Sequence, residues 1–258
     1  MTGGDQLAAP IPDHDLKRKM MRLRFLPRWA RSVRKRIVRL VYGDEYFVTN
    51  YFGARFLVRW ADFVPREIAL KNFEEIQVSH FMDACSRTKP NLLVDIGAHM
   101  GLYSCIMLRK QLVPRAVLFE PNRQTAVHLR ANLLLNDVLD RCEIHECAAG
   151  SRRGRANFEV GPARNSGQAH VVTAGGGEVD VVPVDDLLDL AGKTLAIKMD
   201  VERYELETLA GMERLLKANR GFVQIEALET RNAVIRLMEE WGYALTADFY
   251  WDLFFEKA

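Results

Sequence analysis

At 258 residues, with 48% apolar and 27% charged side chains, the chain has the size and composition of a soluble globular protein with a full core. No apolar run reaches the roughly 18–20 residues that cross a bilayer, and Cys85, Cys105, Cys142 and Cys147 show no Cys-x-x-Cys pair; no membrane span is expected, no metal cluster is implied, and buried thiols in a reducing cytoplasm are expected. The net charge of +2 is uneven, because residues 1–40 hold 11 Lys and Arg against 3 Asp, a balance of +8 that leaves the remainder at −6.

The start, Met1-Thr2-Gly3-Gly4-Asp5, lacks a charged segment followed by an apolar one, so no secretory leader is expected and the localisation expected is cytoplasmic. Residues 1–14, with two prolines and two glycines, read as a disordered tail. Residues 15–45 read as a basic amphipathic arm: Leu26, Trp29, Ala30, Val33, Ile37 and Leu40 recur at helical steps opposite Arg and Lys, with an interruption at Pro27. Three readings of the arm stay open. It can cap the domain, it can lie on an anionic surface at the inner membrane face through residues 16–41, or it can touch nucleic acid.

Residues 46–90 read as a cap. Alternation from Tyr46 to Trp60 predicts two short strands around Asn50 to Gly53. Ile68 to Ser86 reads as one helix with Phe73, Ile76, His80, Phe81 and Ala84 on one face, and Lys89-Pro90 ends the segment.

Residues 91–258 alternate strand and helix, which predicts a mostly parallel sheet with right-handed crossovers. Strands are expected near 92–96, 115–120, 142–148, 194–200 and 221–226. Helices are expected near 101–112, 123–135, 204–217 and 230–240. A last antiparallel pair near Tyr243–Thr246 and Tyr250–Phe255 closes the sheet. Within this frame, residues 153–184 break the alternation with short strands at Ala156–Val160, Ala169–Val172 and Val179–Val184, separated by Gly161-Pro162 and Gly175-Gly176-Gly177; they read as an antiparallel β insertion.

The first strand runs into Asp95-Ile96-Gly97-Ala98-His99-Met100-Gly101 and then a helix. A strand, a glycine-bearing turn and a helix N-terminus form the ligand end of a doubly wound sheet. The second strand ends in Glu120, at the place where an acid accepts hydrogen bonds from ribose hydroxyls. A nicotinamide enzyme would show Gly-x-Gly-x-x-Gly, but here His99 replaces the middle glycine and Asp95 precedes the turn. That pattern suits a ligand with an ammonium group and no phosphate, such as S-adenosylmethionine (SAM).

A third segment, Ile197-Lys198-Met199-Asp200-Val201-Glu202-x-x-Glu205, completes a set with Val94-Asp95-Ile96-Gly97-Ala98-His99-x-Gly101 and Phe119-Glu120-Pro121-Asn122. In order and separation the three resemble the signatures of the FkbM family of SAM-dependent methyltransferases, over roughly Phe47 to the C-terminus. The resemblance implies an α/β, Rossmann-like class I methyltransferase fold with an antiparallel last strand, an N-terminal helical and hairpin extension and a small β insertion. It also implies methyl transfer to a hydroxyl of a sugar, glycan or secondary metabolite. One departure stands out: the family has Gly where this chain has Arg203.

Ligands of open α/β sheets sit beyond the strand C-termini, which gathers the candidates. For the cofactor these are Asp95, Gly97, Ala98, His99, Gly101, Glu120, Pro121, Asn122 and Ala148, with Asn122 also fitting a plain helix N-cap. For catalysis they are Asp200, Glu202, Lys198 and Glu226. Asp200 leads as the base that removes the hydroxyl proton, and Lys198 shares its strand face. Glu202 fits either a base or the cap of the helix near Tyr204. A divalent metal on Asp200 and Glu226 is left open, although two carboxylates are too few to assign one; His14, His80, His128, His145 and His170 show no ligand spacing. Two alternatives remain: an RNA methyltransferase using the basic arm, which the acidic body disfavours, and a SAM-fold protein without catalysis. Oligomeric state is not legible.

Overall fold

The computed structural model describes residues 45–159, 170–172 and 177–258. The tail expected over 1–14, the basic arm expected over 15–45 (all but Glu45) and part of the 153–184 insertion lie outside the described residues.

The chain enters as an antiparallel pair, β1 (Tyr46–Tyr51) and β2 (Ala54–Arg59), joined by Phe52 and Gly53, both at positive φ. Two central residues of that kind make the turn that matches strand twist. Ala54, Phe56 and Val58 of β2 are buried on one face. The pair docks through β2 onto a helix further along the chain, where Asn132 Oδ1 accepts from Leu57 N and Asn136 Oδ1 accepts from Arg55 N, each at 2.8 Å. Two buried asparagines thus satisfy a strand edge that would otherwise lack partners.

The helix expected over 68–86 is two helices, α1 (Phe63–Leu70) and α2 (Glu75–Thr88). Lys71 ends α1 at φ 59°, and Glu74 opens α2 at φ 47°. No glycine or proline marks the break, so periodicity ran across it. Tertiary contacts hold it instead: Tyr51 Oη donates to Phe73 O at 2.6 Å, and Glu74 is drawn inward. Ile76, placed on the inner face by sequence, is 56% exposed.

The remaining elements are β3 (Leu92–Ile96), α3 (Leu102–Arg109), β4 (Ala116–Phe119), α4 (Arg123–Leu135) and β5 (Cys142–His145), followed by the insertion strands β6 (Ala148–Ala149), β7 (Gly154–Glu159), β8 (His170–Val172) and β9 (Val179–Val182). Then come β10 (Thr194–Met199), α5 (Glu205–Ala210), α6 (Glu213–Ala218), β11 (Arg220–Glu226), α7 (Arg231–Glu240), β12 (Ala244–Phe249) and β13 (Asp252–Lys257). Seven strands form the main sheet in the order β12-β13-β11-β10-β3-β4-β5. From β11 to β5 all neighbours are parallel, and β13 lies antiparallel between β11 and β12. The expected α/β fold class holds.

Two further differences from expectation change the path of the chain. The strand expected over 142–148 ends at His145, because Ala148–Ala149 leaves the main sheet and pairs parallel with β9. The insertion is therefore not purely antiparallel, although β7 is antiparallel to both β8 and β9. The helix expected over 204–217 is split at Gly211, where a Cβ would fall 1.9 Å from Gly150 O. Only glycine admits that backbone approach.

Strand alternation sends Leu93, Leu118, Ala196 and Phe222 to one side of the sheet, where they share a core with the hairpin, α1, α2, α3 and α4. Val94, Val117, Ile197 and Val223 face the other side, against α5, α6 and α7. The 46–90 segment is thus part of the main core. Among the described residues no helix is long and apolar enough to cross a membrane.

Candidate active site

A cavity of about 480 Å³ lies across the strand ends, from the tip of β4 to the start of β13. Pockets of 300–1,000 Å³ hold small molecules and cofactors. Asp95, Gly97, Ala98, His99, Glu120, Pro121, Asn122 and Ala148 line one part of it, and Lys198, Asp200, Glu202 and Glu226 another. Of the residues singled out by sequence, Gly101 does not line it. Gly101 begins α3 at φ 83°, and a Cβ there would meet Leu129 Cδ1 at 2.6 Å, so its role is helix packing.

Gly97 also answers to the protein itself. At φ 76°, its Cβ would lie 1.8 Å from the Asp200 carbonyl oxygen. Asp200 N donates to Ile96 O at 2.9 Å, so the ends of β3 and β10 are pinned backbone to backbone. The glycine turn therefore places Asp200 as much as it shapes a ligand cradle.

Glu120, 5% exposed, ties two loops together. Its Oε2 accepts from His99 N at 2.8 Å and its Oε1 from Asn122 N at 2.9 Å. Burial raises its carboxyl to about 7 against the pull of those two N–H donors. Each oxygen retains a lone pair for a ligand hydroxyl. Asn122 caps α4, accepting from Gln124 N and Thr125 N. Asp95 accepts from Ser104 Oγ, and burial raises it to about 6. Burial lowers His99 to about 4, so its ring is neutral at neutral pH.

At the end of β10, Lys198 Nζ stands 3.6 Å from Asp200 Oδ2, with the lysine side chain 4% exposed and the aspartate 32%. Burial would strip the lysine of its charge, but Asp200, Glu74, Asp252 and Glu226 outweigh it and raise the ammonium above its ordinary value. Burial lifts Glu226 to about 9 and Glu202 to about 7, each reinforced by Asp200. Glu202 does not cap the following helix, which carries no side-chain cap; Glu205 instead accepts from Arg203 N at 2.7 Å and from Thr230 Oγ1 at 2.6 Å. Glu202 and Arg203 both hold positive φ, 45° and 73°, which is why a glycine fits there. Arg203 reaches out to Glu229 at 3.0 Å, with both side chains exposed.

Sequence reasoning missed the residues that come from outside the strand-tip rule: Glu74 and Gln77 of α2, Tyr103 of α3, Asp252 of β13, and the aromatic rings of Phe63 and Trp251. Phe63 is 40% and Trp251 55% exposed. For Asp252 a signal existed, since an antiparallel last strand begins at the edge where its parallel neighbours end. Among the described residues no group of three or more His, Cys, Asp or Glu could hold a metal ion.

Comparison with known proteins matches residues 95–245 to the methyltransferase FkbM domain. The hexuronic acid methyltransferase AglP of Haloferax volcanii is 28% identical over 193 residues, spanning 73% of this chain and 77% of that one. The methyltransferase sdnD of Sordaria araneosa is 26% identical over 213 residues, spanning 68% of this chain and 82% of that one. Among solved structures, the methyltransferase FkbM of Methylobacillus flagellatus aligns with a TM-score of 0.46 at 22% identity, covering 76% of this chain and 53% of that one, so this chain spans about half its length.

Proposed function

Because the chain belongs to the FkbM methyltransferase family, and so is a methyltransferase, we propose that it uses SAM to methylate a hydroxyl of a sugar, glycan or related metabolite. The observation that carries this reading is the division of one cavity into an acid-bearing loop cradle around Glu120 and a Lys198–Asp200 pair at the end of β10. A sugar acceptor, though not its charge, is supported by the hexuronic acid named for the Haloferax relative, which is 28% identical. Two exposed aromatic rings, Phe63 and Trp251, offer faces to the C–H groups of such a ring.

The residues present fit SAM. Glu120 and Asp95 supply buried carboxyls for ribose hydroxyls and an ammonium, and the N–H groups near Gly97 and Asn122 are already ordered by Glu120. When bound, SAM supplies a methyl group made electrophilic by its sulfonium. The transfer forms an O–CH3 bond, leaves the electron pair of the broken S–CH3 bond on sulfur, and gives the hydroxyl proton to a base. Asp200 takes that proton, and Lys198 holds the acceptor oxygen near it. Glu226, lifted to about 9, is protonated at neutral pH and donates a hydrogen bond instead of acting as the base. Glu202 flanks the site from a strained turn.

Calorimetric titration with SAM and, separately, with NAD tests the cofactor. Micromolar SAM binding with none for NAD is expected. NAD binding in place of SAM would overturn the reading.

A further inference from the structure

The cavity changes character along the sheet. Toward β13 its lining is a polar wall drawn from the start of α2, α3, β10 and β13, and tied together from behind by buried Gln224 of β11. Tyr103 Oη donates to Glu74 Oε2 at 2.7 Å and accepts from Gln224 Nε2 at 3.0 Å. Gln224 Nε2 also donates to Asp252 Oδ1 at 2.7 Å, and Gln77 Nε2 donates to Asp252 Oδ2 at 3.2 Å. Glu74 and Asp252 are therefore fixed in place, one on each side of the Tyr103–Gln224 link.

Lys198 points into this wall. Its Nζ lies 5.3 Å from the centre of the Tyr103 ring and makes no hydrogen bond, although the side chain is only 4% exposed. An ammonium has three donors, and leaving them unplaced in a buried site is unfavourable. Something with an oxygen lone pair belongs there. The surrounding charge restricts what that is. Asp200, Glu74 and Asp252 all act on this one lysine as acids, while Glu226 is protonated and adds no charge. An acceptor bearing its own carboxylate or phosphate would add another anion to a site where the cation is already outnumbered.

We propose that this wall is the acceptor subsite and that it selects an uncharged polyhydroxylated acceptor over an acidic one. The reacting hydroxyl accepts from Lys198 Nζ and donates to Asp200, while a neighbouring hydroxyl donates to Glu74 or Asp252. Acceptor charge is thus set by residues of α2 and β13, and both Glu74 and Asp252 lie outside the 95–245 segment that matches the family. The inference deepens the SAM-dependent O-methyltransferase reading and rests on it.

The test uses the full chain with SAM carrying a labelled methyl group. The acceptors are methyl glycosides of common hexoses, each paired with its uronate, which differs by one carboxylate. Within accepted pairs the neutral member is expected to be favoured at least tenfold in kcat/KM at pH 7.5. Glu74→Gln combined with Asp252→Asn should raise the rate with the uronate relative to its neutral partner by roughly tenfold. Lys198→Met should cut kcat/KM for the neutral acceptor roughly a hundredfold. SAM affinity, measured by calorimetry on each variant, should stay within about twofold of the parent and so reports that the fold is intact. Preference for the uronate, or no labelled glycoside from any pair while SAM binds, overturns the subsite. Failure of the parent chain to bind SAM is a separate result and overturns the cofactor reading instead.

Discussion

Gly97 and Asp200 meet backbone to backbone: a Cβ on Gly97 would stand 1.8 Å from the Asp200 carbonyl oxygen. The residue proposed to accept the substrate proton is therefore positioned by a glycine 103 places earlier in the chain. Gly97→Ala combines this clash with a left-handed φ of 76°. It should destabilise the protein by about 3 kcal/mol or more in denaturant unfolding, and turnover should fall beyond what the loss of folded protein explains. A change below about 1 kcal/mol would show that β3 and β10 are not locked in this way.

Glu120 holds His99 N and Asn122 N with separate oxygens. Glu120→Ala leaves two N–H groups without that partner and removes the acid expected to meet ribose. SAM affinity should drop at least tenfold, with a loss of stability of about 1–3 kcal/mol. Glu120→Gln retains one acceptor oxygen, so its stability should lie between the two. Calorimetry with SAM, paired with thermal unfolding, separates the two effects.

Stability should fall as pH rises from weakly acid to alkaline. Burial lifts Asp95 to about 6, Glu74, Glu120 and Glu202 to about 7, and Glu226 to about 9, all above their ordinary values of 3.8 or 4.5. For each, the folded state holds the proton more tightly than the unfolded chain. The stabilisation is thus complete below about pH 4 and is lost as pH passes through the raised values. Between pH 5.5 and 9 the Tm of the protein without ligand should decline, and Glu226→Gln should flatten the part above pH 7. A Tm that rises over this interval would contradict the burial argument.

Arg203 occupies a left-handed position, φ 73°, and its guanidinium meets only the exposed Glu229 carboxylate among the described ion pairs. Left-handed backbone costs a non-glycine residue about 1–2 kcal/mol, while an exposed ion pair contributes about 0–1 kcal/mol. Arg203→Gly should therefore stabilise the protein by up to about 1 kcal/mol and leave SAM affinity unchanged, as thermal unfolding with and without SAM would show.

The sequence-level reading and the structure part at identifiable places. The path from β3 through Gly97 to α3 was legible because apolar runs, positive-φ glycines and helix periodicity all point the same way there. Asn122 as a helix cap was legible for a similar reason: its side chain acts on its own neighbours. The break between α1 and α2 was hidden, since Lys71 and Glu74 adopt left-handed backbone without a glycine to announce it. That break delivers Glu74 to the cavity, so the acid went unseen with it. Glu205, legible only as a member of the third signature, is buried and accepts from Arg203 N and from Thr230 Oγ1, the second contact depending on the loop after β11. Gly101 belongs by spacing to the ligand turn and by geometry to the α3–α4 contact. Local chemistry shows in a sequence, whereas contacts between distant segments reassign individual residues.

The most direct test of the account follows a labelled methyl group from SAM to a sugar hydroxyl, with parent and Asp200→Asn proteins side by side. The parent should yield a methyl ether identified by mass spectrometry. Asp200→Asn should bind SAM with near-parent affinity and yield at least a hundredfold less product. Full activity in Asp200→Asn, or label recovered on a carboxylate or nitrogen instead of a hydroxyl oxygen, would contradict the mechanism assigned to this cavity.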